Sequence, residues 1–103
     1  MAKGYWIARV DVHDPEAYKK YIAGNAVPFK KYGARFLVRA GNPQCVGGSM
    51  RARNVVIEFD SLETALACWN SPEYQEVAKL RAPPIADGDF IICEGYDGPQ
   101  PGD

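Results

Sequence analysis

Chemistry in this chain would have to come from a handful of side chains. Two arginines, Arg9 and Arg39, and two glutamates, Glu58 and Glu94, lie within alternating, mostly apolar stretches. The planar donor fork of arginine suits carboxylates and other planar anions. Arg9 and Arg39 are therefore candidates to bind a carboxylate or polarise a carbonyl, with Glu58 and Glu94 beside them. The same four residues also form a balanced set for a paired ionic network across an interface. His13, the single histidine, has an ordinary pKa near neutrality and falls where a strand gives way to a helix. It is the candidate for proton transfer, although its place before Asp14-Pro15 also suits a surface turn. Trp69 and Tyr74 flank the break at Asn70-Ser71-Pro72 and are candidates to wall a cavity; plain packing of helix on sheet explains them too.

Other chemistries are poorly supplied. The three cysteines, Cys45, Cys68 and Cys93, are odd in number and widely spaced. They fit reduced thiols better than a disulfide framework or a zinc site. Cys45 lies in a turn region, with Arg51 and Arg53 a few residues on, and is the thiol to consider reactive; Cys68 and Cys93 read as small hydrophobes. With one histidine, a His-rich metal site within a subunit is ruled out by counting, and no metal site is expected. Neither long helical stretch carries a histidine to ligate haem. Glycine-rich phosphate loops and nucleophile elbows are absent, so no cofactor is expected. A net charge of −1 gives no field to attract nucleic acid or anionic lipid. No apolar run approaches the roughly 20 residues of a membrane span. The opening MAKGYWIARV lacks the parts of a signal peptide, and the expected location is the cytoplasm.

These side chains must be held by a small scaffold. At 103 residues the chain is one domain. A domain of this size buries only about 60–65% of its unfolded surface, so a partner subunit would add useful burial. Tyr5 to Val12 alternates as a strand. Asp14-Pro15-Glu16 opens a helix carrying Tyr18, Ile22, Phe29 and Tyr32; Pro28 should kink it near Gly24, and Gly33 should end it. Arg35 to Ala40 is a second strand, Gln44 to Met50 an edge strand or a hairpin arm, and Arg53 to Phe59 the third main strand. Asp60 or Ser61 caps the next helix, with Glu63 as the answering residue of a capping box. Ser71-Pro72-Glu73 restarts helix to about Arg81, and Phe90 to Glu94 is the last strand. The order β-α-β, β-α-β predicts an α+β fold, ferredoxin-like, with a four-stranded antiparallel sheet covered by helices on one face. Residues 1–95 form the domain, and 96–103 a tail too rich in Gly and Pro to pack as an element, flexible or lying along a partner.

The strand patterns assign Trp6, Ala8, Val10, Phe36, Val38, Val55, Ile57, Phe59, Ile91 and Cys93 to the helix-covered face. Tyr5, Ile7, Arg9, Leu37, Arg39, Val56, Glu58, Phe90, Ile92 and Glu94 fall on the other. That second face is too apolar for water and too charged for a sealed core, and two copies joined about a two-fold axis would cover it.

Five stretches together carry a family likeness: Lys3 to Arg9, Asp14 to Tyr18, Gly33 to Gly41, Val55 to Phe59 and Ser71 to Gln75. They resemble a family of short bacterial proteins known only as a domain of unknown function and grouped with the dimeric α+β barrels. That grouping includes antibiotic-biosynthesis monooxygenases, muconolactone isomerase-like proteins and stress-responsive barrel proteins. The resemblance spans about residues 3 to 95 and implies a homodimeric barrel, with no reaction to carry over. The expectation is a small carboxylated or aromatic metabolite bound between sheet and helices; an enzyme on this scaffold would be a cofactor-independent monooxygenase or isomerase. The alternative is a non-catalytic structural or stress-related dimer with a self-filled barrel.

Overall fold

The structure, a computed structural model, describes residues 2–103. Helix ends follow from local chemistry. Asp14 caps α1 (Pro15–Gly24) by accepting a hydrogen bond from the Ala17 backbone N–H at 3.1 Å. The helix breaks at Asn25 and resumes as α2 (Ala26–Lys31), the interruption expected from Pro28. Gly33, at φ +70°, turns the chain out of the helix in a conformation that costs glycine little. Ser61, not Asp60, caps α3 (Leu62–Asn70), and its hydroxyl meets Thr64 instead of Glu63. Buried Ser71 serves both helices around it. It donates to the Cys68 carbonyl at 2.7 Å, closing α3, and accepts from the Tyr74 N–H at 3.1 Å, opening α4 (Pro72–Ala78). A 3₁₀ turn, Lys79–Arg81, follows.

The strands β1 (Gly4–Val12), β2 (Arg35–Arg39), β3 (Arg53–Phe59) and β4 (Ala86–Glu94) form one open sheet in the order β2-β3-β1-β4. Every neighbouring pair is antiparallel. This is the ferredoxin-like α+β fold, as the element order predicts. Trp6, Ala8, Val10, Val55, Ile57 and Phe59 are buried beneath the helices. Trp6 is the hub: Phe29, Phe59, Trp69 and Tyr74 pack on its ring, and its indole N–H donates to the Ala65 carbonyl at 2.8 Å. At Gly4 the sheet meets the start of α3 so closely that a Cβ would lie 2.3 Å from the Ser61 carbonyl oxygen.

The structure corrects three local expectations. Residues 44–50 form no strand and belong to a loop between β2 and β3. The last strand begins at Ala86, four positions before Phe90, and its phase is opposite to the expected one. Register against β1 puts Phe90 and Ile92 opposite Ala8 and Trp6 on the covered face, while Ile91 and Cys93 face outward. The run Phe90-Ile91-Ile92-Cys93 is apolar in both phases, so alternation there carries no information. In β2, Leu37 is an extra residue: Phe36 pairs with Ile57, but Val38 pairs with Val56. Such a bulge inverts alternation beyond it. Val38 therefore moves to the outer face, and Arg39 comes opposite Val55 on the covered face.

Candidate functional site

The inverted phase of β2 brings Arg39 to a cleft between the sheet and α1. Arg53 reaches the same cleft by ordinary alternation, since it stands two residues before buried Val55 on β3. The cleft has two parts. An inner cavity of about 30 Å³ is bounded by Tyr18, Tyr21, Asn25, Phe36, Arg39 and Arg53, among others. An outer groove of about 370 Å³ runs between Val12, Pro15 and Ile22 on one side and Ala40 and Ala52 on the other. Tyr18 and Arg53 border both parts and stand at the threshold between them.

Cations and phenols dominate the electrostatics. The Arg53 guanidinium carbon lies 5.6 Å from the Tyr18 ring centroid, and that of Arg39 lies 4.2 Å from the Phe36 ring. At the inner end Arg81 lies 4.1 Å from the Phe90 ring and 5.4 Å from that of Tyr21. Its Nη2 donates to the Tyr74 hydroxyl at 3.1 Å, and Tyr74 shares a 2.9 Å hydrogen bond with Tyr21. Among the described residues, none of Arg39, Arg53 and Arg81 has a carboxylate partner, whereas Arg9 and Arg51 do. Burial is the main cause raising the phenol pKa values of Tyr18, Tyr21 and Tyr74, so all stay neutral donors at physiological pH. Hence two guanidiniums, Arg39 and Arg53, border the inner cavity, and a third, Arg81, stands behind its Tyr21 and Phe90 walls, with aromatic faces as their neighbours. Arg53 also carries the one buried side-chain polar atom without a partner among the described residues, its Nε. An unmet buried donor of this kind costs free energy unless something supplies an acceptor.

The residues singled out in the sequence are distributed over several places. Arg39 borders the inner cavity. Tyr74 is wholly buried behind the cavity, and half-buried Trp69 packs against Tyr74 and Phe90 at 5.3 and 5.6 Å. Arg9 stands on the open face, 3.7 Å from Asp89. Glu58 is also on that face, half-buried, and accepts a hydrogen bond from the Tyr5 hydroxyl at 3.1 Å. Glu94 pairs with Gly4 in register, which places it on the covered side at the sheet's far end, near Ser61 and Glu63. Arg9, Arg39, Glu58 and Glu94 thus do not form one network. His13 is exposed and pairs with Asp87 at 2.9 Å, tying the turn after β1 to β4. Cys45 is exposed, 3.3 Å from the Gly48 carbonyl; Cys93 is exposed too, and burial pushes the Cys68 thiol up to about 12. Among the described residues no group of acidic, His or Cys side chains is arranged to hold a metal ion. No helix of the structure is long and apolar enough to cross a membrane.

The sequence offers Tyr18 and Tyr21 as hydroxyls that could face a pocket or simply pack, but it does not single out Arg53, Arg81 or Asn25 as site residues. Arg53 carried a readable signal, because it alternates in phase with Val55, Ile57 and Phe59. Arg81 and Asn25 carried none. Packing of helices onto the sheet brings Asn25 to the cavity and Arg81 against its Tyr21 and Phe90 walls.

The open four-stranded sheet with helices on one face, and a basic, aromatic cleft beneath them, define a ferredoxin-like α+β domain. The chain belongs to the family described as "Domain of unknown function (DUF1330)", whose model matches residues 3–96. No curated protein matches it. Among solved structures it is similar to RPA0582 of Rhodopseudomonas palustris, a protein of unknown function, at 16% identity and a TM-score of 0.73 over 94% of this chain and 85% of that one. SnoaB of Streptomyces nogalater, a cofactor-independent oxygenase, aligns at 14% identity and a TM-score of 0.59, over 97% and 96% of the two chains. A dimeric ferredoxin-like protein of unknown function from Thermobifida fusca aligns at 16% identity and a TM-score of 0.54, over 89% and 90%. At these identities the likeness is one of fold.

Proposed function

We propose that this chain is a cytosolic homodimer that binds a small carboxylated or aromatic metabolite in the cleft between sheet and helices. The observation that carries this reading is that Arg39 and Arg53 border one cavity, each beside an aromatic ring, with no carboxylate partner among the described residues. A structural role for arginine is usually completed by an ion pair, and here the positive charge is left for an incoming anion. The outer groove, walled by Val12, Pro15, Tyr18 and Ile22, suits an apolar or aromatic body beside that charge. Catalysis of the cofactor-independent oxygenase or isomerase type is compatible with such a cleft, and SnoaB gives a precedent of fold alone. A second reading is favoured by one measurement. The inner cavity, at about 30 Å³, holds roughly one or two waters, as expected of a barrel filled by its own side chains.

The test is a ligand-induced melting shift across a library of aromatic and aliphatic carboxylates with their neutral esters. Binding predicts a rise in melting temperature with the acids, retained in Arg9→Ala and reduced in Arg39→Ala. A library with no active member would overturn the binding reading and leave the self-filled module.

A further inference from the structure

Resting on that reading, we infer that the cleft takes an amphiphilic monocarboxylate, with its head at Arg53 in the threshold and its apolar body along the outer groove. Head and body requirements come from different observations. The inner cavity, with room for about one or two waters, matches the two oxygens of a carboxylate and is too small for an aromatic ring. Arg53 borders this cavity with Tyr18, Asn25 and Arg39, and buried Asn25 spends no side-chain bond on capping α2. The Arg53 Nε has no acceptor among the described residues.

The outer groove differs in character. Val12, Pro15, Ile22, Ala40 and Ala52 give it apolar walls, and its lining includes no acidic residue, with Lys19 at the rim. Its volume of about 370 Å³ lies at the lower end of the range usual for small-molecule sites. Because Tyr18 and Arg53 border both spaces, a molecule with its charge at Arg53 has only the groove in which to lay its remainder. A multiply charged body would be disfavoured there for want of polar partners. Arg81, at the inner end, is already engaged by the Tyr74 hydroxyl and four ring faces, so the anchor is Arg53.

Tryptophan fluorescence titration of the full chain with butyrate, hexanoate, octanoate, decanoate, 2-naphthoate and the methyl esters tests this. Affinity should rise by up to about fourfold per added methylene until the groove is filled, and the esters should bind at least tenfold more weakly than the acids. Arg53→Gln should weaken decanoate and 2-naphthoate about tenfold or more and abolish the acid–ester difference; Arg53→Lys should restore part of it. Ala52→Phe, a change at an exposed position that leaves the core untouched, should weaken decanoate but not butyrate. Acids that bind equally well to Arg53→Gln would overturn the anchor while leaving the proposed function intact. Length-independent affinity, or decanoate binding unaffected by Ala52→Phe, would overturn the groove. No binding by any member would overturn both readings. Should Arg53→Gln fail to fold, Arg53→Lys and Ala52→Phe still decide the matter.

Discussion

Tyr74 has no exposed surface, and its hydroxyl is satisfied from two sides, by Arg81 and by Tyr21. The two partners make its removal costlier than removal of either neighbour's group. Tyr74→Phe leaves both the Tyr21 hydroxyl and the Arg81 fork without their partner and should cost about 1–3 kcal/mol, the price of stranded buried donors. Tyr21→Phe removes one hydrogen bond while Tyr74 keeps Arg81, and should cost about 0.5–1.5 kcal/mol. Urea unfolding of both variants checks the order. Equal losses would mean that Arg81 contributes nothing to holding Tyr74. Tyr74 was legible in the sequence as an aromatic beside a helix cap. Arg81, ten residues beyond Ser71, was not, because a 3₁₀ turn sets the direction in which it points.

Between elements, the Lys31–Glu73 ion pair joins the end of α2 to the start of α4. The Lys31 hydrogen bond first, and a backbone N–H at the helix start second, hold the Glu73 carboxyl below the usual carboxylate range. The same bond raises Lys31. A carboxyl with a depressed folded pKa contributes stability above its unfolded pKa, and that contribution is lost as pH falls through the folded value; the raised lysine contributes below its unfolded pKa and loses this as pH rises through its folded one. Comparison of Glu73→Gln with the parent chain by urea midpoint should therefore show a gap that is level from about pH 5 to pH 9 and closes toward acid as Glu73 protonates. The gap will be small, since water screens the pair. A gap that widens in acid would contradict the assignment. The elements themselves were well marked in the sequence. Asp14-Pro15, Gly33 and Ser71-Pro72 each fix a helix end by a hydrogen bond, a ring or a positive φ that requires only near neighbours.

Across the whole molecule, one row of side chains crosses the open face: Val38, Val56, Ile7 and Ile91, one from each strand in spatial order. Leu37, Val38 and Ile91 are 47%, 41% and 57% exposed, which leaves an apolar band on an otherwise charged surface. In the proposed homodimer this band is the seam between two sheets. Ile91→Arg should then convert a species of twice the 11.4 kDa chain mass into one of single mass by light scattering. Cys93, on the same face, should react slowly with a thiol reagent in the parent and quickly in the variant. A parent chain of single mass at micromolar concentration would refute the assembly.

From sequence alone came the element order, the helix caps, the covered faces of β1 and β3, and hence the fold, because these depend on bonds between residues close in the chain and on a strict two-residue period. Tertiary structure decided the site. One extra residue at Leu37 moved Arg39 from the open face to the cleft, and pairing with β1 chose the phase of a strand apolar on both sides. It also separated the four charged residues that alternation had put on one face and joined Arg53 and Arg81 to Tyr18, Tyr21 and Tyr74. Such meetings depend on register between distant strands and on helices settling onto the sheet, and no local pattern encodes them.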